Sequence, residues 1–193
     1  MLVFGAVHGL FFAGDIIGTY GLVAVLFTEV VVVKRVWPRV LVGLLFAALS
    51  LLGLWSMGMM LGGTPMVLEY RGPSTLTVFY PLVSLGSWLG ATIGTVLMSL
   101  VVPCVMIGVG VARWGVLQDP RGHRLILACV AAGGLGLGVL GGLPFVLMQL
   151  DWAFEGSAVW SYPLFHASGV LGACGWLALL ALVAAGRVRS WGP

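Results

Sequence analysis

The sequence predicts an all-α fold, a polytopic membrane helix bundle of about six transmembrane helices in a single domain over residues 1–193. Hydrophobic residues make up 61% of the chain and charged residues only 8%. The mean hydropathy is +1.14, which lies far outside the range of water-soluble domains. The apolar residues form long uninterrupted segments, and the cations cluster between those segments. Composition and patterning together indicate a membrane protein.

Six apolar segments account for most of the chain: residues 1–13, 16–33, 40–61, 82–112, 125–150 and 164–185. Most reach the ~20 residues that cross a ~30 Å hydrocarbon core as a helix. No water is available there to pair with the backbone, so each segment is expected to be helical. The first is short for a span. The fourth is too long, and we expect either a kink at Pro103 or an interfacial helix that begins near Thr75.

The loop charges predict the orientation, because Lys and Arg are retained on the cytoplasmic side of a membrane. Eight cations follow the second, fourth and sixth segments: Lys34, Arg35, Arg39, Arg113, Arg121, Arg124, Arg187 and Arg189. The other connections carry Asp15, Glu69, Arg71, Asp151 and Glu155. With six spans, both termini are cytoplasmic. Cations arranged in this way indicate topology and no nucleic-acid partner.

Glycines at every fourth position predict close helix packing, since they allow two backbones to approach. The stripes are Gly86, Gly90 and Gly94, then Gly134, Gly138 and Gly142, with a similar stripe at Gly169, Gly172 and Gly175. We expect the first two stripes to contact other helices or each other. The three cysteines lie inside apolar segments without the spacing of a disulfide framework or a metal site, so no metal is predicted.

Ionisable residues within a membrane are costly and are therefore candidates for function. Asp15 follows Gly14 at a predicted N-cap, and His8 lies about 9 Å below the outer end of the first span. One interpretation makes Asp15 a helix cap and His8 a packed side chain. The other makes them a catalytic histidine and carboxylate, linked through Tyr20 or a water. Asp15 and Glu29 also lie at the two ends of one face of the second helix. This face either lines a polar path, or Glu29 lies close enough to the cytoplasmic interface to extend toward Lys34 or Arg35.

Three further residues are weaker candidates for substrate binding: Tyr20, Arg71 and His166. Arg71 either pairs with Glu69 or faces the pocket above His8, where a guanidinium would bind an anionic or carbonyl group. His166 is either a packed residue or part of an outer site. Residues 151–162, rich in Trp and Tyr, indicate an interfacial aromatic belt or a surface for carbohydrate or lipid headgroups.

Residues 7–27, VHGLFFAGDIIGTYGLVAVLF, resemble the YeiB family, in which a histidine is followed by GDIL, a tyrosine and a glycine. Residues 102–124, with RWGVLQDP and then HR, and QLDWA at 149–153 are also similar. These relatives are bacterial inner-membrane proteins of unknown function, so the resemblance implies a bacterial plasma (inner) membrane location. The matching positions are His8, Gly14, Asp15, Tyr20 and Gly21.

The same resemblance implies a truncated chain and an activity. Family members carry an earlier DxLRG segment, like that of the heparan-glucosaminide acetyltransferase group of membrane acyltransferases, and a later one like GRMALTNY. Neither occurs here, so we expect missing helices, or a partner membrane subunit in their place, besides the lipid bilayer.

Three functional hypotheses follow. The first is acyl-group transfer at or across the membrane, with His8 as acyl acceptor or general base and Asp15 as its orienter. No cofactor is evident beyond an acyl donor, which would enter past Arg113, Arg121 and Arg124. The second is a small-molecule or ion transporter that uses the polar face of the second helix. The third is a non-catalytic membrane subunit or degenerate fragment.

Overall fold

The computed structural model describes residues 1–12, 16–61 and 78–187, which form seven helices and no strand. The helices are α1 (Leu2–Gly9), α2 (Ile17–Val32), α3 (Trp37–Leu61), α4 (Tyr80–Met98), α5 (Val101–Trp114), α6 (Arg124–Gln149) and α7 (Ala158–Arg187). Four of these, α3, α4, α6 and α7, are long and apolar enough to cross a membrane, and α2 and α5 are shorter apolar helices. The prediction of an all-α membrane helix bundle is confirmed.

The longest predicted segment is interrupted: it forms α4 and α5 with a complete break between them. Ser99 adopts an extended conformation, with φ −111° and ψ 162°. Proline has no N–H to donate to the carbonyl at position i−4, and its ring collides with that carbonyl in a continuous helix. For Pro103 that carbonyl belongs to Ser99. The predicted kink at Pro103 is therefore a full interruption one turn earlier, and the predicted start near Thr75 lies outside the described residues.

The chain forms two compact units, each described by itself. Unit 1 contains Met1–Leu52 and Val67–Met106, and unit 2 contains Gly53–Met66 and Ile107–Pro193. In unit 1, α1, α2 and α4 pack on one another. Its buried core consists of Val23, Phe27, Val96, Val102 and Met106. This core lies beside the break in the helix, because Val96 and Val102 flank it in sequence.

A tryptophan joins the three helices of unit 1. Trp88 on α4 is buried against Gly9 of α1 and Gly18 of α2, and a Cβ on either glycine would collide with its indole ring. One turn earlier on α4, the Ser84 hydroxyl donates to the Gly9 carbonyl at 2.7 Å. Both glycines are therefore required for the indole to enter between the helices.

The second glycine stripe lies at a close contact between α6 and α7 in unit 2. A Cβ on Gly134 would lie 2.5 Å from the Leu171 carbonyl oxygen, and one on Gly138 would lie 2.9 Å from the Cα of Gly172. Gly142 is looser, since its Cβ would be 3.6 Å from the Phe165 ring. The backbones of α6 and α7 are thus in direct contact along this seam.

The first glycine stripe makes no such contact with the described residues of unit 1, and the expectation that it packs against another helix stays a prediction. A Cβ on any of its three members would meet no described atom of that unit within 4 Å: Gly86, Gly90 and Gly94. The reason is the helix face. The buried residues of α4 are Ser84, Trp88, Thr92 and Val96. Each glycine follows one of these by two positions, which turns it by about 200° to the opposite side.

Candidate functional site at the helix break

The hydroxyl of Ser99 connects the end of α4 with the start of α5. It donates to the Thr95 carbonyl at 2.6 Å, and it accepts the N–H of Val101 at 3.3 Å. The Ser99 N–H still donates to the Thr95 carbonyl at 3.0 Å. One side chain therefore satisfies backbone groups on both sides of the interruption, as a helix end inside a membrane requires.

The carbonyl that Pro103 cannot pair is paired by α3 instead. The Ser50 hydroxyl donates to the Ser99 carbonyl oxygen at 2.6 Å, and Ser50 is fully buried. Ser50 is near the middle of α3, about 20 Å along the axis from Trp37 by helical rise. Because α3 is itself a candidate span, this contact joins the break between α4 and α5 to the middle of a neighbouring apolar helix.

An open cleft of about 400 Å³ lies at the break. It is lined by Tyr20, Ser99, Leu100, Val101, Cys104 and Val105. None of these six lining residues is charged, and Tyr20 and Ser99 supply hydroxyl groups. The volume lies within the range of small-molecule sites, about 300–1,000 Å³.

The two helix ends add a polar character that the side chains lack. The last carbonyl groups of α4 and the first N–H groups of α5 lose their in-helix partners at a break, and they carry the partial charges of the helix dipoles. In membrane proteins, interrupted helices of this kind supply backbone groups to solute sites near the midplane. The arrangement can bind a small molecule through hydrogen bonds and apolar contacts.

A second hydroxyl in the core of unit 1 has unused hydrogen-bonding capacity. Thr92 is 2% exposed, and its Oγ1 has no hydrogen-bond partner among the described residues. It lies on the buried face of α4, two turns before Ser99. A buried hydroxyl without a partner is costly, so a water molecule is expected beside it.

The predicted catalytic pair is described only in part. His8 is exposed on α1, and its ring centroid lies 5.6 Å from that of Phe12. Asp15 lies outside the described residues, as does Arg71. The N-cap position of α2 is held by Ile16, one residue later than predicted for Asp15. The pairing of His8 with Asp15 stays a prediction.

The other two predicted binding residues lie in different units. Tyr20 of α2 is half exposed and lines the cleft in unit 1. His166 of α7, in unit 2, is partly buried between aromatic rings, with centroids 4.7 Å away at Tyr162 and 5.3 Å away at Phe165. This environment matches the interpretation of His166 as a packed residue.

The predicted polar stripe on α2 is not one continuous buried face. Thr19 is buried, whereas Leu26 is 56% exposed and Glu29 is also exposed. α2 buries Val23 and Phe27, so its packed side faces away from Leu26 and Glu29. The helix therefore offers Tyr20 to the cleft but no polar track along its length.

Sequence reasoning missed Ser50 and Ser99, although a signal for both was present. A proline inside a long apolar segment frees the carbonyl at i−4, and a hydroxyl on a neighbouring helix is a suitable donor for it. Nothing in the sequence identifies which of the available hydroxyls that donor is. In the part of the chain that the structure describes, no group of His, Cys, Asp and Glu could hold a metal ion.

Fold and site together define an α-helical membrane protein with an interrupted helix. Comparisons with protein-family models, with curated proteins and with solved structures gave no match for this chain. The similarity of residues 7–27 to the YeiB family stays a prediction.

Proposed function

We propose that this protein passes a small uncharged solute across the membrane through the cleft at the α4–α5 break. The observation that carries the proposal is the extended backbone at Ser99, which lies beside a cleft of about 400 Å³. Within a membrane, non-helical backbone is tolerated only where protein buries it or where it lines a water-filled cavity. The second case provides a route for a solute.

The lining residues favour a solute without net charge. An ion in this cleft would need charged partners or many oxygen ligands, and Tyr20 and Ser99 provide the only side-chain hydroxyls among the lining residues. Most of the surface comes from Leu100, Val101 and Val105. A compact molecule with one or two hydrogen-bonding groups and an apolar body fits this chemistry.

Acyl transfer, which the family resemblance implies, receives less support from the geometry. That reaction needs a nucleophile or base held beside an orienting group, in a site that excludes water. His8 is exposed on a short helix, and its predicted partner Asp15 lies outside the described residues. The cleft, in contrast, joins Tyr20 to the interrupted backbone of α4 and α5.

We also propose that the basic connections face the cytoplasm of a bacterial inner membrane, with both termini on that side. Two exposed tryptophans test the orientation: Trp114, which ends α5 beside the connection to α6, is 77% exposed, and Trp152, which follows the other end of α6, is 75% exposed. In a cysteine-free protein in intact cells, Trp152→Cys should react with an impermeant thiol reagent and Trp114→Cys should not. The reverse pattern would invert the proposed topology.

Solute flux in reconstituted vesicles tests the proposed function. Stopped-flow light scattering should show faster entry of short alkyl amides, such as propionamide or butyramide, into vesicles that contain the protein than into protein-free vesicles. Leu100→Trp should fill the cleft and return the flux to the protein-free level. Tyr20→Phe should slow the flux of solutes that accept a hydrogen bond, because it removes a donor from the lining.

The matched control is Leu140→Trp, since Leu140 is an exposed residue of α6 in the other unit. It adds the same bulk without affecting the cleft, so its flux should equal that of the unaltered protein. The proposal fails if none of these solutes enters faster than in protein-free vesicles. It also fails if Leu100→Trp leaves the flux unchanged.

A further inference from the structure

The connection between α5 and α6, residues 115–123, is a basic loop that is anchored by an apolar contact. Val116 at its start is 7% exposed. It packs in a cluster with Leu127 and Ala131 of α6 and Ala178 of α7. This apolar anchor fixes the start of the loop against two helices of unit 2.

Polar contacts fix the rest of the basic loop. Gln118 Nε2 donates to the Ala112 carbonyl at 3.2 Å, which ties the loop to the end of α5. The Gly122 N–H donates to Asp119 Oδ1 at 3.0 Å, and His123 Nδ1 lies 2.9 Å from the Asp119 carbonyl oxygen. The loop thus has a defined conformation from the end of α5 to the start of α6.

Three helix ends bring arginines to this loop. Arg113 is in the last turn of α5, Arg124 is the first residue of α6, and the Arg121 guanidinium donates to the Ala185 carbonyl at the end of α7 at 3.4 Å. All three arginines are exposed, and the one acidic residue of the loop, Asp119, is engaged with Gly122. The surface therefore carries an excess of positive charge.

We infer that the basic loop binds the phosphate of an anionic phospholipid, independently of the proposed solute path. Guanidinium groups match phosphate oxygens in a bidentate geometry. Trp114 beside the loop is 77% exposed and Leu125 is 78% exposed. Exposed tryptophan next to cations is typical of headgroup depth, where anionic lipids attract basic side chains.

Two features favour a bound lipid over a purely topological role for these charges. Retention of cations on one side of a membrane needs only their number, whereas hydrogen bonds hold the backbone of this loop and the Arg121 guanidinium in a defined conformation. The apolar surface of Trp114 and Leu125 would contact acyl chains or glycerol, for which a free inorganic anion has no equivalent. The combination of guanidinium and apolar surface fits a lipid headgroup with its chains attached.

Native mass spectrometry of the purified full chain, titrated with phosphatidylglycerol and with phosphatidylcholine, tests this inference. Phosphatidylglycerol should bind more tightly. Since a basic residue near an anionic surface contributes about fivefold in affinity, Arg121→Gln with Arg124→Gln should weaken phosphatidylglycerol binding about 25-fold. Phosphatidylcholine binding should not change.

Arg124→Gln alone serves as a second variant in case the loss of the Arg121 contact with α7 disturbs folding, and it should weaken binding about fivefold. The control is Lys34→Gln with Arg35→Gln, which removes two exposed cations from the α2–α3 connection in unit 1. Equal affinity for both lipids would overturn the inference. So would an equal loss in the control, or displacement of the lipid by equimolar inorganic phosphate.

Discussion

Replacing Ser50 with alanine should destabilise unit 1, because Ser50 supplies the hydrogen bond that Pro103 cannot. Hydrogen bonds between membrane helices average ~0.6 kcal/mol and reach ~1.7 kcal/mol, since unfolded helices find other partners within the bilayer. The residue four positions after Ser99 is Pro103, which has no N–H. The Ser99 carbonyl therefore has no replacement donor within its own helix when Ser50 is removed. We therefore expect a loss near the upper value, about 1.5 kcal/mol. Unfolding by SDS titration in mixed micelles measures it.

A double-mutant cycle with Pro103 isolates the cause. Pro103→Ala restores an N–H that can donate to the Ser99 carbonyl if the backbone closes into a continuous helix. In that background Ser50→Ala should cost less, with a coupling energy of at least about 0.5 kcal/mol. The control is Ser56→Ala on the same helix, since Ser56 is exposed and donates only to the local Gly53 carbonyl. The reasoning is refuted if Ser50→Ala costs no more than Ser56→Ala, or if the cycle is additive.

Two other substitution pairs test the packing in each unit. Gly138→Ala should destabilise the protein by the overpacking cost of about 1–3 kcal/mol and so lower its melting temperature in detergent. Gly90→Ala should be neutral or stabilising because alanine favours a helix. Equal effects would remove the case for the α6–α7 seam. Arg39→Gln should cost about 1.5–3 kcal/mol, since Arg39 is buried and donates to the Val33 carbonyl at 2.6 Å. The exposed Arg35→Gln should stay within about 0.5 kcal/mol, and chemical denaturation that ranked Arg35 above Arg39 would contradict this.

The fold could be predicted from sequence because hydropathy acts over whole segments. The predicted segment 16–33 is α2 (Ile17–Val32), and 125–150 is α6 (Arg124–Gln149). Hydropathy does not define where a segment ends: the segment 164–185 corresponds to α7, which begins earlier, at Ala158. The prediction started that span after Pro163, but α7 contains this proline as its sixth residue, at the position whose N–H would otherwise donate to the Val159 carbonyl.

Helix packing faces could not be assigned from glycine spacing alone. Glycine at every fourth position allows close approach but does not require it. Gly134 and Gly138 meet α7, whereas α4 buries Trp88 and Thr92 and leaves Gly90 on its other side. Trp88 decides the orientation of α4, because its large ring fills the space that the glycines of α1 and α2 leave open. Which large side chain enters which gap is a property of three helices together.

The candidate site was predictable in part for the same reason. Tyr20 was identified through the family resemblance, and Pro103 indicated a disturbance of the fourth segment. The partner of the freed carbonyl, Ser50, precedes Ser99 by 49 positions in sequence. A contact of that separation depends on the docking of α3 beside the break, which hydropathy patterns do not encode. Local sequence therefore located the weak point of the helix but not the structure built around it.

The most direct test of a solvated cleft is the reactivity of Cys104, an exposed residue of its lining. Only an ionised thiol reacts quickly with a charged methanethiosulfonate reagent, and a thiol surrounded by lipid stays protonated. With Cys104 as the sole cysteine in native membranes, we predict rapid labelling that Leu100→Trp suppresses, while a sole cysteine at Leu140→Cys on the exposed face of α6 labels slowly. Labelling of Cys104 no faster than that of the Leu140→Cys protein would contradict the account, because the break would then be sealed or filled by lipid.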